Sequence, residues 1–181
     1  MAGNTGSGTQ ARSNRWRIVA WSGALLLLLL PFVAMRLTDE VAWDQADFVI
    51  FGTMLLAACG AFELAARRSG NARYLAGAGV AIAAAFVLMW MNLAVGLIGD
   101  EGNAANRLVG VVLAVGIVGA AIARLRPDGM AWAMLATATA QALVGLSAVA
   151  AGFDGSALPS AFFVLLWLGS AWLFGRAGRD A

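Results

Sequence analysis

Residues 73–103 read RYLAGAGVAIAAAFVLMWMNLAVGLIGDEGN, an uncharged run bounded by Arg73 on one side and by Asp100 on the other. A helix needs about 20 mainly apolar residues to cross a hydrocarbon core of about 30 Å, and its backbone groups then bond within the helix. The stretch therefore predicts a transmembrane helix from about Arg73 to Ile98, with an arginine at one end and carboxylates at the other.

Five further apolar runs of similar length occur in the chain, separated by short joints that alternate between arginine-rich and carboxylate-rich composition. The sequence is 61% hydrophobic and 12% charged, about half the charged fraction of a soluble domain. We predict an all-α fold, an integral membrane bundle of six transmembrane helices in one domain at 15–176. A disordered tail at 1–14, rich in Gly, Ser and Thr, and a short tail at 177–181 are predicted to be cytoplasmic. The predicted helices cover about 18–35, 47–66, 73–98, 106–123, 130–151 and 158–174.

The first run, Ile18–Met35, follows three arginines and contains a leucine run, a pattern also typical of a signal peptide. It is long for the apolar part of a signal peptide, and it lacks a clean Ala-x-Ala cleavage site. We favour an uncleaved first helix, which Pro31 is expected to bend near its outer end.

Arginine is distributed unevenly between the two sets of joints. Arg36 and Arg107 fall on the carboxylate-rich side, and the other ten fall on the opposite side. Because arginine-rich loops stay in the cytoplasm, both termini are predicted to be cytoplasmic, in the inner membrane of a bacterium. The ten are Arg12, Arg15, Arg17, Arg67, Arg68, Arg73, Arg124, Arg126, Arg176 and Arg179.

The residue types that most enzymes depend on are scarce. Histidine and lysine are absent, and the single cysteine, Cys59, lies within an apolar run. The chain therefore lacks the commonest metal ligand, a lysine for Schiff-base chemistry and a histidine that could activate a nucleophile. We expect no enzyme, no cofactor and no metal. The arginines are dispersed at helix ends, which suits lipid headgroups better than nucleic acid.

Glu63 is the one carboxylate predicted to lie within a membrane helix. Because a charge is costly there, such a residue is by default a candidate for a functional role. Arg67 follows four residues later, so the two side chains share one helix face. Two interpretations stay open: a structural pair, which we favour, or a group that handles protons or a ligand.

Asn92 is predicted in the outer half of the third helix, where an amide needs a hydrogen-bond partner across a helix interface. Thr137, Thr139, Gln141 and Ser147 on the fifth helix are candidate partners. We favour a packing role, with a place on a transport path as the alternative.

Carboxylates gather at the outer joints, and hard oxygen ligands of this kind suit Ca²⁺ or Mg²⁺. The spacing matches no EF-hand, and acidic outer loops also follow when arginine is confined to the other side, so a solvated acidic surface is favoured over a cation site. The candidates are Glu40, Asp44, Asp47, Asp100 and Glu101, with Asn103 and Asn106 near the last two.

Small residues recur at four-residue spacing, for example at Ala57/Ala61/Ala65 and Gly116/Ala120. Such rows let helix backbones approach closely, so they predict a tight bundle without a wide lumen. Helices two and three also align weakly with helices four and five, which indicates either a duplicated hairpin or chance in a chain rich in glycine and alanine.

Three blocks, WDQADF at 43–48, WMNLAVGLIGDEGN at 90–103 and ARLRPDGMA at 123–131, resemble a family of small bacterial multi-pass inner-membrane proteins of unknown function. The likeness covers about residues 40–175. It implies an integral membrane protein and supplies no activity, substrate or site residue.

Three functions are compatible with these features. The favoured one is a non-enzymatic accessory, assembly or lipid-organising protein, with the bilayer and a membrane-protein partner or a second copy as its partners. The alternative is a small oligomeric transporter or ion carrier that uses Glu63 and Asn92. An enzyme that modifies a lipid or quinone ranks third.

Overall fold

The computed structural model describes residues 7–38, 42–100 and 102–179, with side chains from Ile18 onward except Val19. Over these residues the chain is entirely helical apart from its connections. Six helices are long and apolar enough to cross a membrane, which confirms the predicted fold class. They are α1 (Ser7–Leu37), α2 (Gln45–Arg68), α3 (Ala72–Ala94), α4 (Arg107–Ile122), α5 (Pro127–Ala150) and α6 (Ala157–Arg179).

Two helix starts differ from the sequence prediction by three residues or more. Helix α5 begins at Pro127 rather than at Met130, because proline has a fixed φ that suits the first helical position and lacks an N–H that would find no partner there. Helix α1 begins at Ser7, inside the segment assigned to the tail. Residues 1–6 lie outside the described residues, and the division into tails and bundle stays a prediction.

By its contacts the chain divides into two units, Met1–Glu63 and Leu64–Ala181. In the first unit, α1 runs on through Pro31. A Cβ atom placed on Gly52 of α2 would lie 3.8 Å from Leu28 of α1, and the Cys59 thiol donates to the carbonyl oxygen of Ala20 over 3.8 Å. These contacts pair the two helices.

The second unit is built on α3, α4, α5 and α6, which enclose a core of small and aromatic side chains. Helices α5 and α6 are antiparallel neighbours: Gly145 faces Ser160, and Ala131 faces Gly175. Helix α4 closes on α5 where Gly119 faces Ala133. Close approach at small residues is how membrane helices gain packing contacts without a hydrophobic driving force.

The loops of the second unit lie at two ends. We call the end with the connections 95–106 and 151–156 the acidic end, and the end with 69–71 and 123–126 the arginine end. At the acidic end Asn106 orders the first connection: its Oδ1 accepts from the backbone N–H groups of Leu97 (3.0 Å) and Ile98 (2.8 Å). A Cβ on Gly96, where φ is +73°, would lie 2.8 Å from Asn106 Nδ2, so only glycine fits there.

Candidate functional site

Glu63 and Arg67 lie on the continuous helix α2, one turn apart, as predicted. Glu63 is half-buried and Arg67 is exposed. Of the two side chains, that of Arg67 is therefore the more exposed. Whether the pair is structural or handles protons stays a prediction.

Asp44 and Asp47 have a local structural role at the start of α2. The backbone N–H of Asp44 donates to Asp47 Oδ2 over 3.0 Å, and the N–H of Asp47 donates to Asp44 Oδ1 over 2.9 Å. This reciprocal pair is a capping box, which satisfies N–H groups that the first helical turn leaves without acceptors. An acid followed three residues later by another, just before an apolar run, is a signal that sequence reasoning missed.

Asp100 contributes its backbone rather than its carboxylate to the acidic end. Its carbonyl oxygen accepts from Asn106 Nδ2 over 2.8 Å and from the N–H of Asn103 over 3.0 Å, while the residue itself is exposed. The predicted approach of Asp100, Asn103 and Asn106 is therefore present, and it builds a loop. Glu40 and Glu101 lie outside the described residues.

Among the residues that the structure describes, no three Asp, Glu or Cys side chains come close enough to hold a metal ion. The carboxylates of Asp44 and Asp47 cap the start of α2, and Asp100 is exposed.

Asn92 is half-buried, and its Oδ1 has no hydrogen-bond partner among the described residues. The prediction of a hydrogen bond from α5 to this oxygen is therefore wrong. The hydroxyls predicted to supply it donate to carbonyl oxygens of their own helix instead: Thr137 to Ala133 (2.8 Å), Thr139 to Leu135 (3.0 Å) and Ser147 to Val144 (2.8 Å). Such back-bonding is the common alternative for Ser and Thr within helices.

A second set of polar groups lies deeper in the second unit. Gln141 is 0% exposed and Trp167 is 2% exposed. Neither the amide nitrogen and oxygen of Gln141 nor Trp167 Nε1 has a hydrogen-bond partner within the described part of the chain, and the same holds for Ser160 Oγ. A buried polar group left without a partner costs about 1–3 kcal/mol. We call Gln141, Ser160 and Trp167 the buried polar cluster.

Sequence reasoning named Gln141 only as a partner for Asn92, and it missed Ser160 and Trp167. The available signal was the spacing on α6, where Ser160 and Trp167 are seven residues apart and thus on one face. An indole flanked by Leu166 and Leu168 resembles core or lipid-facing bulk, so the sequence alone does not indicate that its N–H lacks a partner.

Two clefts open on the second unit. At the acidic end a cleft of about 540 Å³ is lined by residues of the 95–106 and 151–156 connections together with Met91 and Pro159. Toward the arginine end a groove of about 490 Å³ lies between α5 and α6, with Asp128 and Arg179 among its lining residues. Beside that groove the Arg176 guanidinium lies 4.2 Å from the Trp172 ring centroid, an arrangement suited to a lipid headgroup region.

Comparison with known proteins adds nothing to this geometry. The chain matches no family model, no curated protein and no solved structure.

Proposed function

We propose that the chain is a non-enzymatic multi-pass protein of the bacterial inner membrane, with both termini cytoplasmic, that acts by contact with another membrane protein. The six candidate spans support the membrane location. The ten arginines on one side support the orientation. The resemblance to small bacterial inner-membrane proteins fits the same proposal.

The observation that carries the contact role is an open row of small residues on α2. Ala57, Gly60 and Ala61 are exposed, and no atom lies within 4 Å of a Cβ placed on Gly60. Within the first unit, these three positions on α2 are therefore open.

Lipid chains contact a small-residue face no better than a face of leucines, whereas a second helix does, because the two backbones can approach closely. The open row therefore favours a transmembrane helix of a partner protein as its occupant. Glycine and alanine also lose little side-chain entropy when they are covered.

The test is tagged purification in mild detergent of three proteins: the natural chain, Ala61→Leu, and the control Ala121→Leu. Ala121 is an exposed alanine on α4, so the control adds the same bulk outside the row. We expect one partner protein at a fixed ratio with the natural chain and with Ala121→Leu, and its loss with Ala61→Leu.

Recovery of the natural chain as a single species would contradict the proposal. So would equal retention of the partner by Ala61→Leu and Ala121→Leu, because the contact would then lie elsewhere.

A second candidate, the small carrier, is favoured by Asn92, whose Oδ1 is buried without a partner among the described residues. In liposomes that contain a pH-sensitive dye, a proton carrier speeds the decay of an imposed pH gradient, and Glu63→Gln abolishes that acceleration. Equal decay with the natural chain, with Glu63→Gln and with empty liposomes would eliminate this candidate.

A further inference from the structure

The buried polar cluster presents hydrogen-bonding groups that the described protein atoms do not satisfy. Gln141 is 0%, Trp167 2% and Ser160 4% exposed. Among the described residues, four of their atoms have no hydrogen-bond partner: Gln141 Nε2, Gln141 Oε1, Ser160 Oγ and Trp167 Nε1. Leucine, alanine and phenylalanine would fill these positions without that penalty, so the polar groups point to a ligand.

The register of α5 against α6 puts the three side chains at adjacent levels. Gly145 faces Ser160 so closely that a Cβ on the glycine would lie 2.6 Å from Ser160 Cβ. Gln141 lies one turn before Gly145 on α5, and Trp167 lies two turns after Ser160 on the antiparallel α6. With about 5.4 Å per turn, Gln141 falls between the levels of Ser160 and Trp167.

The nearby hydroxyl groups do not donate to the cluster, because each already donates to a backbone carbonyl oxygen. Thr137, one turn from Gln141 on α5, donates to the carbonyl oxygen of Ala133 over 2.8 Å. Ser170, on the Trp167 side of α6, donates to the carbonyl oxygen of Gly77 over 2.8 Å. The cluster therefore lies between groups that are satisfied by the backbone.

The chemistry of the cluster selects an uncharged ligand. Gln141 donates and accepts, Ser160 does both, and Trp167 only donates. The buried polar side chains among the described residues are all uncharged, so an ion here would have no counter-charge. Water makes about three hydrogen bonds in a buried site and can both donate and accept. It matches this set of groups, and it is small enough for a tightly packed interior.

The cleft at the acidic end lies near the Ser160 end of the cluster, because Pro159 is one of its lining residues. Pro159, which precedes Ser160, and Met91, which precedes Asn92, both line it. Asn92 Oδ1 and Ser160 Oγ, each without a partner among the described atoms, belong to residues that directly follow these lining residues in the chain. Along α5 and α6, Gln141 and then Trp167 lie at levels progressively farther from the cleft.

We propose that Gln141, Ser160 and Trp167 bind internal water molecules, and that a hydrated polar track leads from the cleft at the acidic end to the Trp167 indole inside the second unit. The track belongs to α5 and α6 and does not involve Glu63. It makes this half of the unit an uncharged, water-accessible interior enclosed by lipid-facing helices.

The test uses the full chain in lipid nanodiscs with ¹⁵N-labelled tryptophan indoles. The Trp167 signal is identified among the seven tryptophans by its loss in Trp167→Phe. We expect a magnetisation-transfer cross-peak between water protons and the Trp167 indole N–H. A dry indole, without that cross-peak and without exchange in D₂O while the other indoles exchange, would overturn the proposal.

A pair of variants locates the water. Gln141→Leu keeps the side-chain volume and removes the amide, so the cross-peak should disappear. The control Thr137→Val removes a buried hydroxyl that already donates to its own helix, and it should leave the cross-peak unchanged. A cross-peak that survives Gln141→Leu would overturn the assignment. Should Gln141→Leu fail to fold, the natural chain alone still decides the matter through its own cross-peak.

Discussion

At the scale of single residues, Tyr74 of α3 contacts both α6 and the turn between α4 and α5 through one side chain. Its hydroxyl donates to the carbonyl oxygen of Leu125 over 2.9 Å, and its ring packs edge-on against Phe174 with centroids 5.1 Å apart. Arg124 and Leu125 have φ of 50° and 57°, a left-handed conformation that ends α4 and that non-glycine residues adopt at a cost. The tyrosine thus supports a turn that lacks glycine.

Tyr74→Phe keeps the ring contact and removes the hydrogen bond to Leu125. We expect it to lower the free energy of unfolding by about 0.5–1.5 kcal/mol, measured by thermal denaturation in nanodiscs. Thr139→Val is the control, because that exposed hydroxyl donates to its own helix and its loss should change stability by less than about 0.5 kcal/mol. Equal stability of Tyr74→Phe and the natural chain would show that the bond contributes nothing.

How far single residues can be predicted from sequence depends on where their partners lie. The capping box of Asp44 and Asp47 is local and could be predicted from a spacing of three. The partner of Tyr74 is a backbone carbonyl 51 positions away, and carbonyl groups carry no sequence signal. For Asn92 the prediction failed for a different reason. Hydroxyl groups that could bond to it are present on α5, but they donate to carbonyl oxygens of their own helix.

At the scale of elements, the helices could be predicted because length and apolarity decide them in a membrane. The sequence does not show which of the small residues form contacts between helices. On α4, a Cβ on Gly119 would lie 2.8 Å from Ala133 Cβ, whereas a Cβ on Gly110 would have nothing within 4 Å. Both are glycines in the same apolar helix, and only the packing distinguishes them.

Gly119→Val should therefore lower the free energy of unfolding by about 1–3 kcal/mol, because the side chain forces α4 away from α5. Gly110→Val adds the same atoms in open space and should change it by less than about 0.5 kcal/mol. Thermal denaturation of both variants in the same nanodiscs checks the difference. Equal losses would contradict the α4–α5 contact.

At the scale of the whole molecule, the fold requires lipid as its solvent, and the arginine distribution predicts one orientation. Apolar side chains such as Leu165, Leu146 and Ile117 are 67–71% exposed, which is unfavourable in water and expected in hydrocarbon. The number of spans could be predicted from the sequence, and the structure confirms six candidates. The buried polar cluster could not be predicted from the sequence, because it depends on how α5 and α6 align.

The most direct measurement is cysteine labelling from one side of the membrane. The single cysteine is removed by Cys59→Ala, and Gly70→Cys or Gly102→Cys is then introduced at an exposed loop position with open space around it. Bacterial spheroplasts are treated with a membrane-impermeant maleimide. The account predicts labelling of Gly102→Cys in intact spheroplasts and of Gly70→Cys only after lysis. Labelling of Gly70→Cys in intact spheroplasts, or recovery of the chain in buffer without detergent, would contradict it.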